Sequence, residues 1–215
     1  MIAFGPVPSR RLGRSLGINN IPPKVCTYSC VYCQVGRTIE MQVERRPFYD
    51  PEAVFRDVRE KVEEAGLAKE AIDTLTFVPD GEPTLDANLG REIELLQPLG
   101  IEIAVISNAS LVWREDVKED LGKADWVSLK VDAASEEIWR QINRPHRGLQ
   151  LRAIQDGMLT FAQDYEGMLT TETMLVNGVN DGEDAMKEVG AFLARLKPDR
   201  AYVAIPTRPP AEPWA

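Results

Sequence analysis

Three cysteines fall within eight residues, in the segment Cys26-Thr27-Tyr28-Ser29-Cys30-Val31-Tyr32-Cys33, and the chain has no others. An odd number of thiols cannot pair off completely, so the spacing points to metal in a reducing compartment rather than to disulfides. Three thiolates on one loop can hold three corners of a [4Fe–4S] cluster, which normally takes four protein ligands. One iron is then left for another molecule to occupy. Two other readings stay open: a Cys3His zinc site completed by the only histidine, His146, and buried structural thiols. His146 lies in the polar segment Asn143-Arg144-Pro145-His146-Arg147, where a solvated loop histidine is the plainer expectation.

A second set of polar residues follows the apolar runs that alternate along the chain. Strand-like runs are expected near 16–21 and over 72–78, 101–106, 126–131, 168–176 and 201–205. Helical patterns lie between them, over 51–65, 92–98, 115–121, 135–142, 149–161 and 184–196. The first of these opens with Asp50 as a cap and Pro51 at the first helical position, and spaces Val54, Val58 and Val62 along one face. Six strands alternating with helices predict a parallel sheet with helical crossovers. No G-x-G-x-x-G or G-x-x-x-x-G-K-[ST] segment is present, so the phosphate loops of dinucleotide-binding sheets and NTPases are missing.

Polar groups stand instead at or just after nearly every strand: Asp80-Gly81-Glu82-Pro83, Ser107 and Asn108, Lys130 and Asp132, Glu172 and Asn177, Thr207 and Arg208. Barrels of βα units gather their active sites at the strand C-termini, which all open on one face. Six units rather than eight predict an α/β fold of the partial (βα)6 TIM-like barrel type, open on one side, with residues 1–215 as one domain. Lys130 interrupts a strand that should be buried, so its charge must be paired or functional.

The C-x3-C-x2-C segment, with the aromatic Tyr32 before its last cysteine at the start of a six-unit βα chain, resembles the radical S-adenosylmethionine (SAM) superfamily. That resemblance covers essentially the whole chain. It implies that Cys26, Cys30 and Cys33 ligate a [4Fe–4S] cluster and that the amino and carboxylate groups of SAM chelate the fourth iron. Reduction, by a flavodoxin- or ferredoxin-like electron donor, would then cleave SAM to methionine and a 5′-deoxyadenosyl radical that abstracts hydrogen from a substrate. Asp80-Gly81-Glu82-Pro83 resembles the superfamily's Gly-Gly-Glu-Pro segment, with Asp80 in place of the first glycine, and so implies a backbone site for the SAM amino group. Ser107 and Asn108 resemble the ribose-binding position. Ser128-Leu129-Lys130 resembles the Asp-Leu-Lys motif of glycyl-radical activating enzymes, which implies a contact of Lys130 with the SAM carboxylate. Glu172 with Asn177-Gly178-Val179-Asn180-Asp181 resembles the segment near the adenine. The expected cofactor-binding set is therefore Tyr32, Gly81, Glu82, Pro83, Ser107, Asn108, Lys130, Asp132 and Glu172, with Lys130 as the catalytic candidate.

The opening Gly5–Gly17 and the Asn143–His146 segment look like the branch of Fe–S oxidoreductases classed with wyosine-type tRNA-modifying enzymes. Those enzymes carry a second cluster, for which no cysteine remains here. The substrate is thus left between a tRNA nucleoside, a protein activated through a glycyl radical, and, if the metal only binds, none. Charge bears on that choice: the net charge is -9, yet residues 1–46 hold seven Lys or Arg against two Glu. An acidic bulk argues against broad nucleic-acid binding, while a basic N-terminal strip suits a phosphate or carboxylate. No apolar run approaches the ~18 residues of a membrane span, so a cytoplasmic location is expected. Four prolines among the last ten residues predict an extended end that adds no seventh unit and leaves the mouth open, which raises the question of truncation.

Overall fold

A computed structural model describes residues 2–215. The chain begins with a hairpin, β1 (Ala3–Ser9) and β2 (Gly13–Ile18), followed by two very short strands, β3 (Val25–Cys26) and β4 (Glu40–Met41). Helix α1 (Pro51–Leu67), β5 (Thr74–Phe77), α2 (Leu89–Leu96), β6 (Glu102–Ser107), α3 (Glu115–Leu121) and β7 (Trp126–Lys130) come next. Two helices, α4 (Glu136–Asn143) and α5 (Leu151–Asp164), precede β8 (Met168–Met174), α6 (Glu183–Leu196) and β9 (Arg200–Ala204). The main sheet runs β1-β2-β5-β6-β7-β8-β9. All its pairings are parallel except β1 with β2.

The six parallel strands are those expected from the apolar runs, and the helices fall where the periodicity puts them. Asp50 caps α1 through an acceptance from the Glu52 amide at 3.3 Å, a type of bond worth about 1 kcal/mol. The strand β1 was not expected, because Pro6 and Pro8 suppress the strand signal; prolines are tolerated on an edge strand, which β1 is.

Alternation along the strands divides the sheet into two chemically different faces. Leu16, Ile18, Leu75, Phe77, Ile103, Val105, Val127 and Leu129 join Val54, Val58, Leu89, Ile93, Leu121 and Ile154 of the helices in the main core. The opposite face carries Ser15, Thr74, Thr76, Ser128, Lys130, Thr170 and Glu172. There Ser15 and Thr76 share a hydroxyl bond of 2.7 Å, and Lys130 registers against Glu172. Helices therefore cover the apolar face, and the polar face lines the inside of an open barrel whose edge strands, β1 and β9, do not pair with each other. Among the described residues no helix is long and apolar enough to cross a membrane.

Candidate active site

The cysteine loop is held at its base by the β3–β4 ladder, which pairs Val25 with Glu40 and Cys26 with Met41. Tight turns follow inside it, from the Cys33 amide to the Cys30 carbonyl at 3.1 Å and from Gly36 to Cys33 at 3.2 Å. The end of α4 and the residues after it supply the outer wall. Val31 donates to the Ile142 carbonyl at 2.9 Å, Ser29 to Asn143 at 3.0 Å, and His146 to Thr27 at 2.9 Å. The segment Asn143–His146 is thus scaffolding for the cysteines.

Two amide side chains point donors at the sulfurs. Asn108 Nδ2 lies 3.5 Å from Cys26 Sγ, and Asn143 Nδ2 lies 3.4 Å from Cys30 Sγ. Burial, with the charge of Glu82 next, pushes the Cys26 thiol far up, and burial with Asp132 pushes Cys30 up to about 12. Such thiols stay protonated and inert unless a cation takes the place of the proton, which a coordinating iron does. Among the described residues no three of His, Cys, Asp and Glu converge where one ion could sit. His146 Nδ1 instead accepts from the Gly148 amide at 3.1 Å. The zinc arrangement is therefore not assembled, whereas a cluster, whose corners bind separate irons, requires no convergence of the thiols on one point.

The segment after β5 passes under this loop. Lys24 donates to the Asp80 carbonyl at 2.6 Å and Glu82 to that of Val25 at 3.1 Å. A Cβ on Gly81 would stand 2.0 Å from the Val25 carbonyl oxygen, so only glycine lets the two backbones approach. Glu82 is 1% exposed, and its carboxylate accepts from the Thr84 amide and hydroxyl, from Ser107 Oγ at 2.7 Å and from the Asn108 amide at 2.7 Å. Burial nonetheless leaves its pKa raised. Glu82 and Ser107 are consequently braces that join the ends of β5 and β6, and Pro83 starts a short 3-10 turn.

Asp132 is likewise spent internally. Only 3% exposed, it accepts from the Tyr32 hydroxyl, from Asn143 Nδ2 at 2.7 Å and from the Met174 amide at 2.8 Å. Tyr32 thereby ties the cysteine loop to β7 and β8. Lys130 pairs with Glu172, which also pairs with Arg11 from the β1–β2 turn. Burial alone would raise the Glu172 pKa, but the two cations hold it below the usual carboxylate range. Lys130 Nζ stands 5.3 Å from the centre of the Tyr32 ring. Asn108, Lys130, Asp132 and Asn143 line one small cavity beneath the strand ends.

The structure thus brings Tyr32, Gly81, Glu82, Pro83, Ser107, Asn108, Lys130, Asp132 and the three cysteines to one end of the sheet, with Glu172 on the inner wall beside Lys130. It does not assemble a basic strip. Arg11 bonds Glu172, Arg14 bonds Glu70, Arg37 bonds Glu212, Arg45 bonds Asp116 and Asp120, and Arg46 bonds Glu40. Each of these five has a carboxylate partner close by, with Glu212 shared between Arg37 and Arg144, which composition cannot reveal. Glu172 and the Asn143–His146 segment were expected to matter, but the pairing of Glu172 with Arg11, the bond of Asn143 to Cys30 and the place of Glu212 were not.

The profile of the Radical SAM superfamily matches residues 20–189, a span that includes the cysteine loop and all the strands from β3 to β8. The chain belongs to the radical SAM superfamily. Members of this superfamily are enzymes that use a [4Fe–4S] cluster and SAM. The chain is 54% identical over 213 residues to UPF0026 protein MJ1312 of Methanocaldococcus jannaschii, covering 99% of itself and 66% of that protein. It therefore spans just under two thirds of that relative. UPF0026 protein slr1464 of Synechocystis sp. is 35% identical over 208 residues, 96% of this chain and 76% of that one. A solved structure of TYW1 with a lysine-pyruvate adduct bound superposes with a TM-score of 0.68 at 20% identity, over 91% of this chain and 66% of that one. At that identity the likeness concerns the fold.

Proposed function

We propose that this chain is a cytoplasmic radical SAM enzyme whose substrate is a nucleoside or nucleotide. In this reading Cys26, Cys30 and Cys33 hold three irons of the cluster and leave the fourth for SAM. A cluster held there and reduced by a flavodoxin- or ferredoxin-like donor would supply the one-electron chemistry by which radical SAM enzymes cleave SAM. The observation that carries the reading is the pair of asparagine donors aimed at two half-buried thiols of one loop, above the ends of the strands.

The remaining roles belong to the chain. Asn108 and Asn143 lower the charge density on the sulfurs, as hydrogen bonds to cluster ligands do. Gly81 lets the Asp80–Pro83 backbone lie directly against the Val25 carbonyl, which keeps the backbone groups offered to the SAM amino group beside the base of the cysteine loop. Lys130 exchanges its partner Glu172 for the SAM carboxylate, and Glu172 keeps Arg11 when that happens, so no carboxylate is stranded. Tyr32, Glu82, Ser107 and Asp132 fix the loop and the strand ends against one another. The nucleoside substrate rests on the similarity of Gly5–Gly17 and Asn143–His146 to the wyosine-type branch.

The test is anaerobic reconstitution followed by incubation with SAM and dithionite, with and without RNA, nucleotide or peptide fractions. 5′-Deoxyadenosine should form, and a nucleotide or RNA fraction should accelerate it. Acceleration by peptide alone would replace the substrate class. Cys30→Ala should lose most of the iron, and a full cluster in that variant would overturn the ligand assignment. Lys130→Ala should bind SAM at least tenfold more weakly at unchanged iron content.

A further inference from the structure

The extended end of the chain turns back onto the cysteine loop. After β9 the backbone crosses toward Val31, whose carbonyl accepts from the Glu212 amide at 2.9 Å, and Ala215 packs beside Val31, Tyr32, Ile142, Met174 and Val176. The Glu212 carboxylate is 8% exposed although it lies in a proline-rich segment. Arg37 forks onto it, with Nε 3.0 Å from Oε1 and Nη2 3.1 Å from Oε2, and Arg144 Nη1 bonds Oε1. Arg37 first and Arg144 second hold this carboxyl below its ordinary pKa.

We propose that Arg37 and Arg144 form the receptor for a phosphate group of the substrate, and that Glu212 is a tethered competitor which the phosphate displaces. The proposal rests on the nucleotide reading above and adds the group by which that substrate is held. Its first support is charge. Two guanidinium groups face one carboxylate, and among the described residues no other carboxylate bonds either of them, so a dianion balances the pair better than Glu212 does.

Position is the second support. Arg37 follows Cys33 by four residues, and Arg144 follows Asn143, whose side chain bonds Cys30 Sγ. A phosphate seated between them would lie on the rim of the mouth, against the loop that carries the cysteines. Arg144 is held at φ +46°, a left-handed backbone conformation that non-glycine residues seldom adopt, and it is this turn that sends its side chain toward Arg37. The guanidinium groups themselves are accessible, at 70% exposure for Arg37 and 40% for Arg144. The third support is the tether. Pro206, Pro209, Pro210 and Pro213 keep the segment out of helix, and among the described residues, besides the Glu212 ion pairs, only one backbone bond and one small apolar contact join residues 212–215 to the loop. None of residues 206–215 belongs to a strand of the sheet.

The decisive experiment titrates the reconstituted full chain with inorganic phosphate, uridine 5′-monophosphate and uridine by calorimetry, in the native protein, Glu212→Gln and Glu212→Gln/Arg144→Gln. Removing a competitor that occupies the site most of the time should tighten phosphate and nucleotide binding at least tenfold in Glu212→Gln, and leave uridine unchanged. The second substitution should abolish that gain. Equal phosphate affinity in native and Glu212→Gln protein would overturn the proposal, as would a gain that survives Arg144→Gln. Uridine 5′-monophosphate that binds no tighter than inorganic phosphate would mark a free-phosphate site and overturn the substrate assignment. Hydrogen exchange on the native chain avoids any folding defect: saturating nucleotide should speed exchange over residues 206–215, and unchanged exchange counts against displacement. 5′-Deoxyadenosine formation by the native protein without nucleotide reports on the enzyme reading separately from phosphate binding.

Discussion

Gly81 shows how one absent side chain can matter to two functions. Its Cα faces the Val25 carbonyl so closely that an added methyl would lie 2.0 Å from the oxygen, and both partners are backbone that cannot rotate aside. Gly81→Ala should therefore push the Asp80–Pro83 segment away from the base of the cysteine loop. SAM affinity should fall at least tenfold with only a partial loss of iron, measured by equilibrium dialysis and iron analysis of one sample. Asn143 offers a complementary test, since its amide reaches both Cys30 Sγ and Asp132. Asn143→Leu should shift the cluster potential to more negative values in an EPR-monitored redox titration, because hydrogen bonds to the sulfurs favour the reduced cluster. The cysteine spacing was legible in the sequence because its ligands are neighbours in the chain. Asn143 was not, because its bond to Cys30 spans 113 residues and an asparagine near a helix end reads as an ordinary cap.

At the level of elements, alternation made most of the architecture legible: strands such as Thr74–Phe77 keep aliphatic side chains on one face and hydroxyls on the other, and the helices show the matching stripe. What alternation hides is the pairing of polar groups between elements. Helix α2 buries Glu92 against Asp86 and Asn20, with no cation among the described residues bonded to the Glu92 carboxyl. Burial first, and Asp86 second, push the Glu92 pKa up to about 9, while burial raises Asp86 to about 6. Both carboxyls hold protons in the folded chain at pH values where the unfolded chain has released them. Their contribution is thus greatest below the ordinary carboxylate range, and stability falls as pH rises toward 9. Glu92→Gln keeps the shape without the ionisation. It should raise the melting temperature by several degrees at pH 8 and flatten its decline between pH 5 and about 9, as followed by circular dichroism. A Glu92→Gln protein that melts lower than the native chain at pH 8 would show that the carboxylate is needed there.

For the whole molecule, the sheet is a strip of seven strands curved into part of a barrel, and the unpaired edges of β1 and β9 leave one side open. The count of six βα strands was enough to read this from sequence, but the course of the last residues was not. Prolines specify an extended path without saying what it touches, and the bond from Glu212 to Val31 closes a loop across nearly the full length of the chain. That segment straps the cysteine loop at one rim, while no strand among the described residues joins β1 to β9. On that side the paired Lys130, Glu172 and Arg11 keep 18 to 24% of their side-chain surface exposed, while Ser15, Ser128 and Thr170 deeper in the wall are buried, so water reaches the rim of the inner wall at charges and not at a hydrophobic seal. The reconstituted chain should consequently cleave SAM slowly without any substrate, with 5′-deoxyadenosine accumulating over hours under dithionite. A bulky substitution at an exposed outward position of the β9 edge, Val203→Trp, should leave this rate unchanged, whereas Arg11→Ala, which removes a side chain from the rim of the inner wall, should raise it. A chain with a full cluster, bound SAM and strong reductant that yields no 5′-deoxyadenosine would mean that substrate itself completes the site, and that the open side is closed by the molecule on which the enzyme acts.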